Sequence, residues 1–545
     1  MTLRAPPALF VYGGLCLVLL LVGIHSRPLL PIDETRYITV AWEMWLRGDY
    51  LVPYLNGAPY SHKPPLLFWL IQCGWALFGV NAWTPRLLTT LFSVGGLWLL
   101  ARVARLLWPE DEHSATLAPL VLLGCLCWSL FTSALMFDML VAVFTLLGLL
   151  GVLRAWRGGT RSGWILFGVA IGLGILAKGP VILLYTLPVA LLAPWWMQGE
   201  NQPRWASWYR GLGAGVALGA LIALAWAIPA AYWGGEEYRN AILWKQTAGR
   251  MVESFAHRRP WWWYLPLLPF VLFPWIAWPA FWRGLPRIQL DAGLRFCLVW
   301  CGIGFAALAL VSGKQVHYLL PLLPAFALIV SRATRNAGAG RFDDGWPAAV
   351  VMVLGILLSS LGWLSNHIEM TDWLAELSPL WGIALIGLGL LFLSPWLRKH
   401  HRRLEKLTVL AVALVVIANL SFQRFAWRYY DMAPAGRYLA GLQRQGIDLL
   451  HGNGGYQGQF QFAGRLKQPI AVLPKAEIAA WAAAHLDGRV ITYPQTLTLE
   501  QLAKAEYYQP YKGGYLAVWP SRALLQDPIL LKAIVGRRGA EGDNS

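Results

Sequence analysis

The sequence predicts an all-α polytopic membrane protein with a small C-terminal α/β domain. Of its 545 residues, 57% are hydrophobic and only 13% are charged, and the mean hydropathy is +0.48. Apolar segments recur along most of the chain, and most are about 20 residues long, the length that crosses a bilayer as a helix. Short basic segments separate them, as in a multi-pass protein.

Thirteen spans are predicted from the apolar segments. The first has no small-residue cleavage site before His25 and Arg27, so a retained signal anchor is favoured over a removed signal peptide. Lys178-Gly179-Pro180 interrupts one long apolar stretch, which is counted as two short spans. The spans lie near residues 8–24, 84–107, 116–134, 137–155, 164–177, 180–196, 211–232, 262–282, 295–311, 317–332, 347–365, 380–396 and 407–422.

Basic residues indicate the orientation of these spans. Arg and Lys occupy every second gap, for example at 102–105, 154–161 and 398–406. Because positive residues concentrate in cytoplasmic loops, a cytoplasmic N-terminus is expected. This topology explains much of the net charge of +17 and gives no reason to predict nucleic-acid binding. It places the loops 25–83, 233–261 and 313–317, and the turn at Asp138, on the outer face.

The composition changes after residue 422. Residues 1–422 are predicted to form the membrane domain and residues 423–545 a soluble α/β domain, which an odd number of spans places outside. The evidence is the turn-like Gly452-Asn453-Gly454-Gly455, strand-like residues 470–473 and 490–493, and helix-like residues 479–486. The six cysteines lie in or beside apolar segments, so free thiols are expected and no disulfide framework.

The first outer loop carries the strongest chemical signal, Asp33-Glu34-Thr35-Arg36-Tyr37. Residues 33–47 can form an amphipathic helix that lies in the membrane interface. Asp33 and Arg36 are three residues apart and therefore share one face of that helix. Charged side chains beside a hydrophobic bundle are costly, so this cluster is a candidate site, with Glu34 as an accessory residue.

Farther along the same loop, Tyr60-Ser61-His62-Lys63 precedes two prolines that fix the local backbone direction. Lys63 is suited to hold a phosphate as a point charge. The alternative is that Lys63 extends to lipid headgroups at the start of the next apolar segment.

Two further ionisable residues interrupt apolar segments. Asp138 follows Leu135-Met136-Phe137 at the outer boundary, where it can cap the next helix, serve a functional role, or do both. In Lys178-Gly179-Pro180, a helix kink explains the glycine and the proline. It leaves Lys178 unexplained.

Basic residues on the outer face oppose the usual charge bias. Arg258 and Arg259 precede the aromatic run Trp261-Trp262-Trp263-Tyr264, and Lys314 lies in a turn shortly before His317 and Tyr318. Interfacial anchoring accounts for the aromatic run alone. An anionic ligand at the outer leaflet would account for these cations together with Arg36 and Lys63. With Asp33 and Asp138 on the same side, this predicts group transfer on a phosphorylated lipid.

These motifs, taken together, resemble the aminoarabinose transferase branch of the protein mannosyltransferase-like glycosyltransferases. The resemblance spans roughly residues 30–330 and follows the order of the chain. It rests on Asp33 to Tyr37, Gly48-Asp49, Val52-Pro53, Tyr60 with Lys63-Pro64-Pro65, Leu176 to Pro180, His257 to Trp261, and Ser312 to Pro321.

The resemblance implies the GT-C fold, with the active site at the periplasmic face of the bacterial inner membrane and a polyprenyl-phosphate sugar as donor. It implies that Asp33 is the central catalytic carboxylate and that Arg36, Tyr60 and Lys63 lie around the donor phosphate. Lys314 and Tyr318 are implied as contributors from a later loop. The expected sugar is 4-amino-4-deoxy-L-arabinose or a related pentose or hexose, and the expected acceptor is lipid A or another glycan or lipid of the outer leaflet.

One position departs from the pattern, because close relatives read Tyr-Phe-Glu-Lys where this chain has Tyr60-Ser61-His62-Lys63. His62 replaces a glutamate that could bind a divalent cation. Imidazole is also a metal ligand, so a cation is neither supported nor excluded at His62.

Two other functional classes compete with a transferase. A transporter or flippase of a lipid-linked sugar would use helix breaks such as Gly179-Pro180 to line a substrate path. No inverted repeat is evident, however, and the ionisable residues collect at one surface. A non-catalytic assembly subunit would leave the outer basic residues unexplained.

Overall fold

A computed structural model describes residues 7–198, 202–242, 259–335, 337, 338, 340, 343–364, 377–394, 403–452, 454–495 and 497–535. Most of these residues are helical, and the predicted fold class, a polytopic helical membrane protein with a small C-terminal sheet, is confirmed. The helices between residues 7 and 242 are α1 (Pro7–Ser26), α2 (Asp33–Arg47), α3 (Leu66–Phe78), α4 (Thr84–Leu107), α5 (Glu112–Gly124), α6 (Leu126–Phe131), α7 (Phe137–Trp156), α8 (Thr160–Lys178), α9 (Ile182–Leu191), α10 (Ala193–Trp196), α11 (Trp205–Trp233) and α12 (Gly235–Asn240).

The remaining helices of the bundle follow a proline-rich segment. They are α13 (Leu268–Val271), α14 (Pro279–Gly284), α15 (Ala292–Leu310), α16 (Leu323–Arg335), α17 (Gly345–Leu364), α18 (Pro379–Leu393), α19 (Arg403–Phe425) and α20 (Trp427–Tyr430). Short 3-10 helices lie at Trp261–Leu267, Trp275–Ala277, Leu285–Arg287 and Val316–Leu322.

Among the described residues, seven helical segments have the length and apolar composition of a membrane span. They are Thr84–Leu107, Phe137–Trp156, Thr160–Lys178, Trp205–Trp233, Ala292–Leu310, Val316–Arg335 and Arg403–Phe425. Shorter apolar helices at Phe10–Ser26, Leu66–Phe78, Ile182–Leu191, Gly345–Leu361 and Pro379–Leu393 accompany them. The number of thirteen spans and the domain boundary at residue 422 stay predictions.

One sequence prediction about the helices was wrong, and one helix was not predicted. Residues 262–282 do not form one helix, because Pro266, Pro269, Pro274 and Pro279 lack backbone N–H donors and break the segment into short turns. The outer loop 25–83 was not expected to contain α3. That helix has only 13 residues, fewer than a span needs.

Helix α7 lies at the centre of the bundle: 83% of the residues in its apolar stretch are buried, compared with 17% in α11. Close packing of α7 on α8 depends on two glycines. A Cβ atom on Gly163 would lie 2.5 Å from the backbone nitrogen of Ala155, and one on Gly151 would lie 2.7 Å from the carbonyl oxygen of Gly163. Small residues of this kind allow membrane helices to approach closely. The two helices therefore pack tightly beside the turn that joins them, and at their other ends Lys178 of α8 contacts Asp138 in the first turn of α7.

The C-terminal region contains a five-stranded sheet with the order β4-β3-β5-β7-β6. Strands β3, β4 and β5 are parallel, and β7 pairs antiparallel with β5 and β6. Separate apolar clusters include Ile491 with Val518 and Leu450 with Trp519, as expected when alternate strand residues face opposite sides of a sheet. The strands are β1 (Tyr54–Leu55) and β2 (Ala58–Pro59) in the first loop, then β3 (Leu449–His451), β4 (Ala471–Val472), β5 (Arg489–Thr492), β6 (Tyr507–Tyr511) and β7 (Gly514–Pro520).

Helices surround this sheet, and we call residues 433–535 the sheet region. Its helices are α21 (Ala433–Arg444), α22 (Gln461–Gly464), α23 (Ile478–Ala484), α24 (Leu499–Leu502), α25 (Ser521–Gln526) and α26 (Pro528–Val535), with a 3-10 turn at Lys475–Glu477. The predicted helix at 479–486 corresponds to α23, and the predicted strands at 470–473 and 490–493 correspond to β4 and β5.

Candidate active site

The first turn of α2 carries Asp33 and Arg36 on one face, as the three-residue spacing predicts. Arg36 Nη2 donates to Asp33 Oδ1 at 2.5 Å, and the Tyr37 hydroxyl donates to the same oxygen at 3.1 Å. The Asp33 side chain is 47% exposed, whereas that of Arg36 is 18% exposed. Asp33 can therefore reach a bound substrate while two neighbours fix one of its oxygens.

Glu34 has a different environment from that of Asp33. Its buried carboxylate forms ion pairs with Arg27 (3.4 Å) and Arg86 (3.1 Å). It also accepts from the backbone N–H groups of Leu30 and Leu135, each at 2.9 Å. Burial alone would raise the pKa of Glu34, but the two guanidinium groups outweigh it and lower this pKa to about 2. Glu34 thus anchors α2 to the bundle as a buried anion.

Asp138 lies in the first turn of α7 and is 3% exposed. Lys178 Nζ, at the end of α8, donates to Asp138 Oδ1 at 2.5 Å, and His317 Nε2 lies 3.7 Å from Asp138 Oδ2. The same ammonium group lies 4.1 Å from the centre of the Tyr318 ring. Gly179, with φ +84°, ends α8 beside this lysine. The interruption of the apolar stretch at Lys178 therefore supplies the partner of a buried carboxylate.

Aromatic side chains connect the charged residues around Asp33 with those around Asp138. The Phe137 ring lies 4.7 Å from the Tyr37 ring, and Lys63 Nζ lies 5.8 Å from the centre of the Phe137 ring. Asp33, Lys63 and Asp138 all lie within electrostatic range of His317. We call the set Asp33, Arg36, Lys63, Asp138, Lys178, His317 and Tyr318 the charged cluster. It combines α2, the loop before α3, the facing ends of α7 and α8, and the 3-10 helix Val316–Leu322.

Tyr60 is buried beside this cluster, with its ring 6.4 Å from that of Phe68. Burial alone would lower the pKa of Arg36, but Tyr60, Tyr37 and Asp33 outweigh it and raise this pKa. Arg36 is therefore a permanent cation in the cluster.

Arg259 and Lys314 line a separate shallow cavity of about 470 Å³, together with Pro260, Trp261, Ala309, Leu310 and Ser312. Lys314 Nζ donates to the carbonyl oxygens of Arg259 (3.1 Å) and Val311. Burial lowers the pKa of Lys314. The Arg259 side chain is exposed and lies 5.8 Å from the Trp263 ring centre. Lys314 thus ties two loop segments together, and within the described residues no contact joins either cation to Asp33.

Arg258 and His257 lie outside the described residues, so their prediction stays open. His62 is exposed, with its ring 5.2 Å from that of Tyr60. The part of the chain that the structure describes contains no group of three or more His, Cys, Asp or Glu side chains arranged to hold a metal ion.

One residue that contacts Arg36 was missed entirely by sequence reasoning. Gln457, in the loop after β3, accepts a hydrogen bond from Arg36 Nη1 through its Oε1 at 3.0 Å. The nearby Gly-rich run was interpreted only as a turn, and no local pattern links residues 421 positions apart.

Comparison with known proteins shows which proteins this chain is similar to in sequence and in fold. A family model described as dolichyl-phosphate-mannose-protein mannosyltransferase matches residues 62–233. An undecaprenyl phosphate-alpha-4-amino-4-deoxy-L-arabinose arabinosyl transferase of Pseudomonas aeruginosa (strain UCBPP-PA14) is 31% identical over 323 residues, 57% of this chain and 57% of that protein. A protein of the same name from Edwardsiella ictaluri (strain 93-146) is 27% identical over 403 residues, 71% of this chain and 70% of that protein.

The crystal structure of ArnT from Cupriavidus metallidurans bound to undecaprenyl phosphate shares the fold, with a TM-score of 0.74 and 19% sequence identity. The match covers 94% of this chain and 98% of ArnT. The GT-C fold is therefore confirmed. In sequence, the match to the Pseudomonas aeruginosa protein covers only 57% of that relative's length.

Proposed function

We propose that this chain, a relative of the aminoarabinose transferases and protein mannosyltransferase-like glycosyltransferases with the GT-C fold, transfers a sugar from a polyprenyl-phosphate donor to an acceptor at the periplasmic face of a bacterial inner membrane. The charged cluster is the observation that carries this proposal. It holds the half-exposed Asp33 carboxylate against Arg36 and includes two further cations, Lys63 and Lys178, where helices meet a loop. Such a site suits a reaction in which a phosphate departs.

The cations of the cluster suit the departing phosphate. The bond between the anomeric carbon and the phosphate oxygen breaks, and its electron pair leaves with polyprenyl phosphate. Arg36 and Lys63 would stabilise the charge that develops on that oxygen. Buried Tyr60 lies beside them in this proposal. Lys178 is held by Asp138 at 2.5 Å, so its ammonium group is oriented before the donor binds.

The class of the acceptor decides the role of Asp33. If the acceptor is a hydroxyl group, its oxygen forms the new bond to the anomeric carbon and its proton passes to Asp33 as general base. If the acceptor is an ionised phosphate, no proton moves, and Asp33 stabilises positive charge on the sugar ring. The exposure of the Asp33 side chain fits both roles.

For the substrates we propose undecaprenyl phosphate-linked 4-amino-4-deoxy-L-arabinose as donor and lipid A of lipopolysaccharide as acceptor. The names of the Pseudomonas and Edwardsiella relatives support the donor. Arg259 and Lys314 would then lie on an adjacent wall, where a second anionic group of the donor or acceptor can bind. Arg258, which precedes Arg259 in the sequence, belongs to the same prediction.

The arrangement also favours transfer over transport. A transporter needs its ionisable residues along a path near the bilayer midplane. Here they lie at the first turn of α7, the last residue of α8 and the first turn of α2, which are element ends. The following experiment distinguishes transfer of the sugar from transport of a lipid-linked sugar without transfer.

The test is mass spectrometry of polyprenyl phosphates and envelope glycolipids in cells with the gene deleted, restored or replaced by variants. We expect Asp33→Asn and Lys63→Ala to accumulate the polyprenyl-phosphate sugar and to lose one glycolipid modification, as the deletion does. Asp487→Asn is the matched control, because its exposed carboxylate pairs with Arg522 in the sheet region. Unchanged lipids in the deletion would reject transfer, and normal activity of purified Asp33→Asn enzyme would reject this mechanism.

A further inference from the structure

The loop that follows β3 in the sheet region crosses to α2 and contacts it closely. Thr39 Oγ1 donates to the carbonyl oxygen of Gly458 at 2.7 Å. Gly458 has φ +76°, and a Cβ atom there would lie 2.7 Å from Leu55 Cδ1 and 3.0 Å from Thr39 Cγ2. The backbone can come this near to α2 only because residue 458 is a glycine.

A network of hydrogen bonds fixes the same loop to the first outer loop. The Asn56 side chain donates to the carbonyl oxygen of Ile470 at 2.8 Å and accepts from the Ile470 N–H at 2.9 Å and from Gln461 Nε2 at 2.8 Å. The Trp42 indole donates to the carbonyl oxygen of Leu466 at 3.1 Å. Contacts at residues 458, 461, 466 and 470, which follow residue 457 closely in the chain, therefore hold the loop in place, as an accurately positioned site requires.

Gln457 extends from this fixed loop to the charged cluster. Its backbone N–H donates to Gln459 Oε1 at 3.2 Å, and its Oε1 accepts from Arg36 Nη1 at 3.0 Å. Arg36 Nη2 is bound to Asp33, and Arg36 Nε is buried without a partner among the described residues. Both terminal nitrogens of the guanidinium group are thus held, Nη1 by the neutral amide of Gln457 and Nη2 by the carboxylate of Asp33.

We propose that Gln457 is a positioning residue of the transferase and that it orients Arg36 toward the phosphate of the lipid-linked donor. The inference rests on the proposed function. An amide oxygen fixes the direction of a guanidinium group without adding a second carboxylate to the one that Asp33 already supplies, so Arg36 meets the phosphate with a single anionic partner. A carboxylate at position 457 would pair with Arg36 and compete with the phosphate. The sheet region then contributes directly to the active site of the membrane domain.

The test uses the full-length protein in lipid nanodiscs and measures both its affinity for undecaprenyl phosphate and its transfer kinetics. We expect Gln457→Met, which has similar volume but no amide, to weaken undecaprenyl phosphate binding and raise the donor KM about tenfold. We expect Gln457→Glu to weaken both more strongly. Gln443→Ala is the control, because the Gln443 side chain lies in the same region and donates to the Gln468 carbonyl oxygen, and this variant should bind the lipid as the wild type does.

A purely structural role is excluded by combining variants. If Gln457 acts through Arg36, adding Gln457→Met to Arg36→Ala should change lipid affinity less than twofold, whereas independent effects would multiply. Multiplicative effects, or wild-type affinity in a correctly folded Gln457→Met protein, would overturn the inference. If Gln457→Met lowers the melting temperature, Gln457→Glu keeps the inference testable, because wild-type lipid affinity in that variant would also overturn it. Wild-type protein that neither binds the lipid nor transfers sugar would instead reject the proposed function.

Discussion

The buried Glu34 anchor gives the sharpest prediction, because it holds the helix that begins with Asp33. Replacing Glu34 with Gln keeps the shape but removes the charge that two buried arginines neutralise. The pKa of Glu34 falls from its ordinary 4.5 to about 2, which corresponds to about 3 kcal/mol of folding stability. That value agrees with the roughly 3–5 kcal/mol typical of breaking a buried ion pair.

The stabilisation depends on pH in a defined direction. Because the folded-state pKa of Glu34 is lowered, its contribution is present in full above about pH 4.5 and is lost as the pH falls toward 2. Thermal unfolding in detergent should show a clearly lower melting temperature for Glu34→Gln at pH 7, and a smaller difference from the wild type at pH 4.

The matched control is Glu112→Gln, because Glu112 also pairs with an arginine, Arg105, but its side chain is 67% exposed. Such exposed pairs contribute less than about 1 kcal/mol. If Glu34→Gln and Glu112→Gln melt alike at pH 7, the reasoning that treats Glu34 as an anchor is wrong. Transfer by Glu34→Gln should also fall, since glutamine keeps only one of the two acceptor oxygens that attach α2 to Leu135 and Arg86.

Three further predictions test other parts of the structure. Lys178→Met should abolish transfer and weaken undecaprenyl phosphate binding in purified protein, because it removes a cation and leaves Asp138 buried without its 2.5 Å partner. Gly458→Ala should lower both the melting temperature and the transfer rate in parallel assays, because alanine is strained at φ +76° and collides with Leu55. Gly513→Ala is its control: residue 513 has open space around it, so neither the rate nor the melting temperature should change. If the sheet region is periplasmic, the variant Arg522→Cys in a Cys73→Ser background should react with a membrane-impermeant maleimide in intact spheroplasts. Labelling only after lysis would reverse the proposed orientation.

Much of the architecture follows from local sequence physics. The interfacial helix at residues 33–47 was predicted with the bounds that the structure gives to α2, because the apolar stripe and the pairing of Asp33 with Arg36 both obey helical spacing. The failure at residues 262–282 is also local, since hydropathy averages over prolines that prevent a continuous helix. Helix α3 escaped detection because a window suited to full spans is longer than its 13 residues.

The site is less predictable because it depends on contacts between distant segments. Lys63 and Lys178 could be recognised in the sequence because each is a charged residue at the start of an apolar segment or within one. Both lie in the charged cluster. The partners could not be recognised: nothing near Lys178 indicates Asp138, 40 positions away, and nothing near Arg36 indicates Gln457. Lys314 shows the opposite case, since an outer-face cation expected to bind phosphate donates to two backbone carbonyls.

The two carboxylates of the cluster have surroundings that suit different tasks. Asp138 is 3% exposed and engages Lys178, so its charge serves to hold a cation in a fixed direction. Asp33 is half exposed and shares only one oxygen with Arg36 and Tyr37, so its other oxygen can meet a substrate. Environments that differ in this way assign different roles to residues of one chemical type. Asp33 is therefore the carboxylate that contacts the reacting sugar or acceptor in our proposal, and Asp138 acts through Lys178.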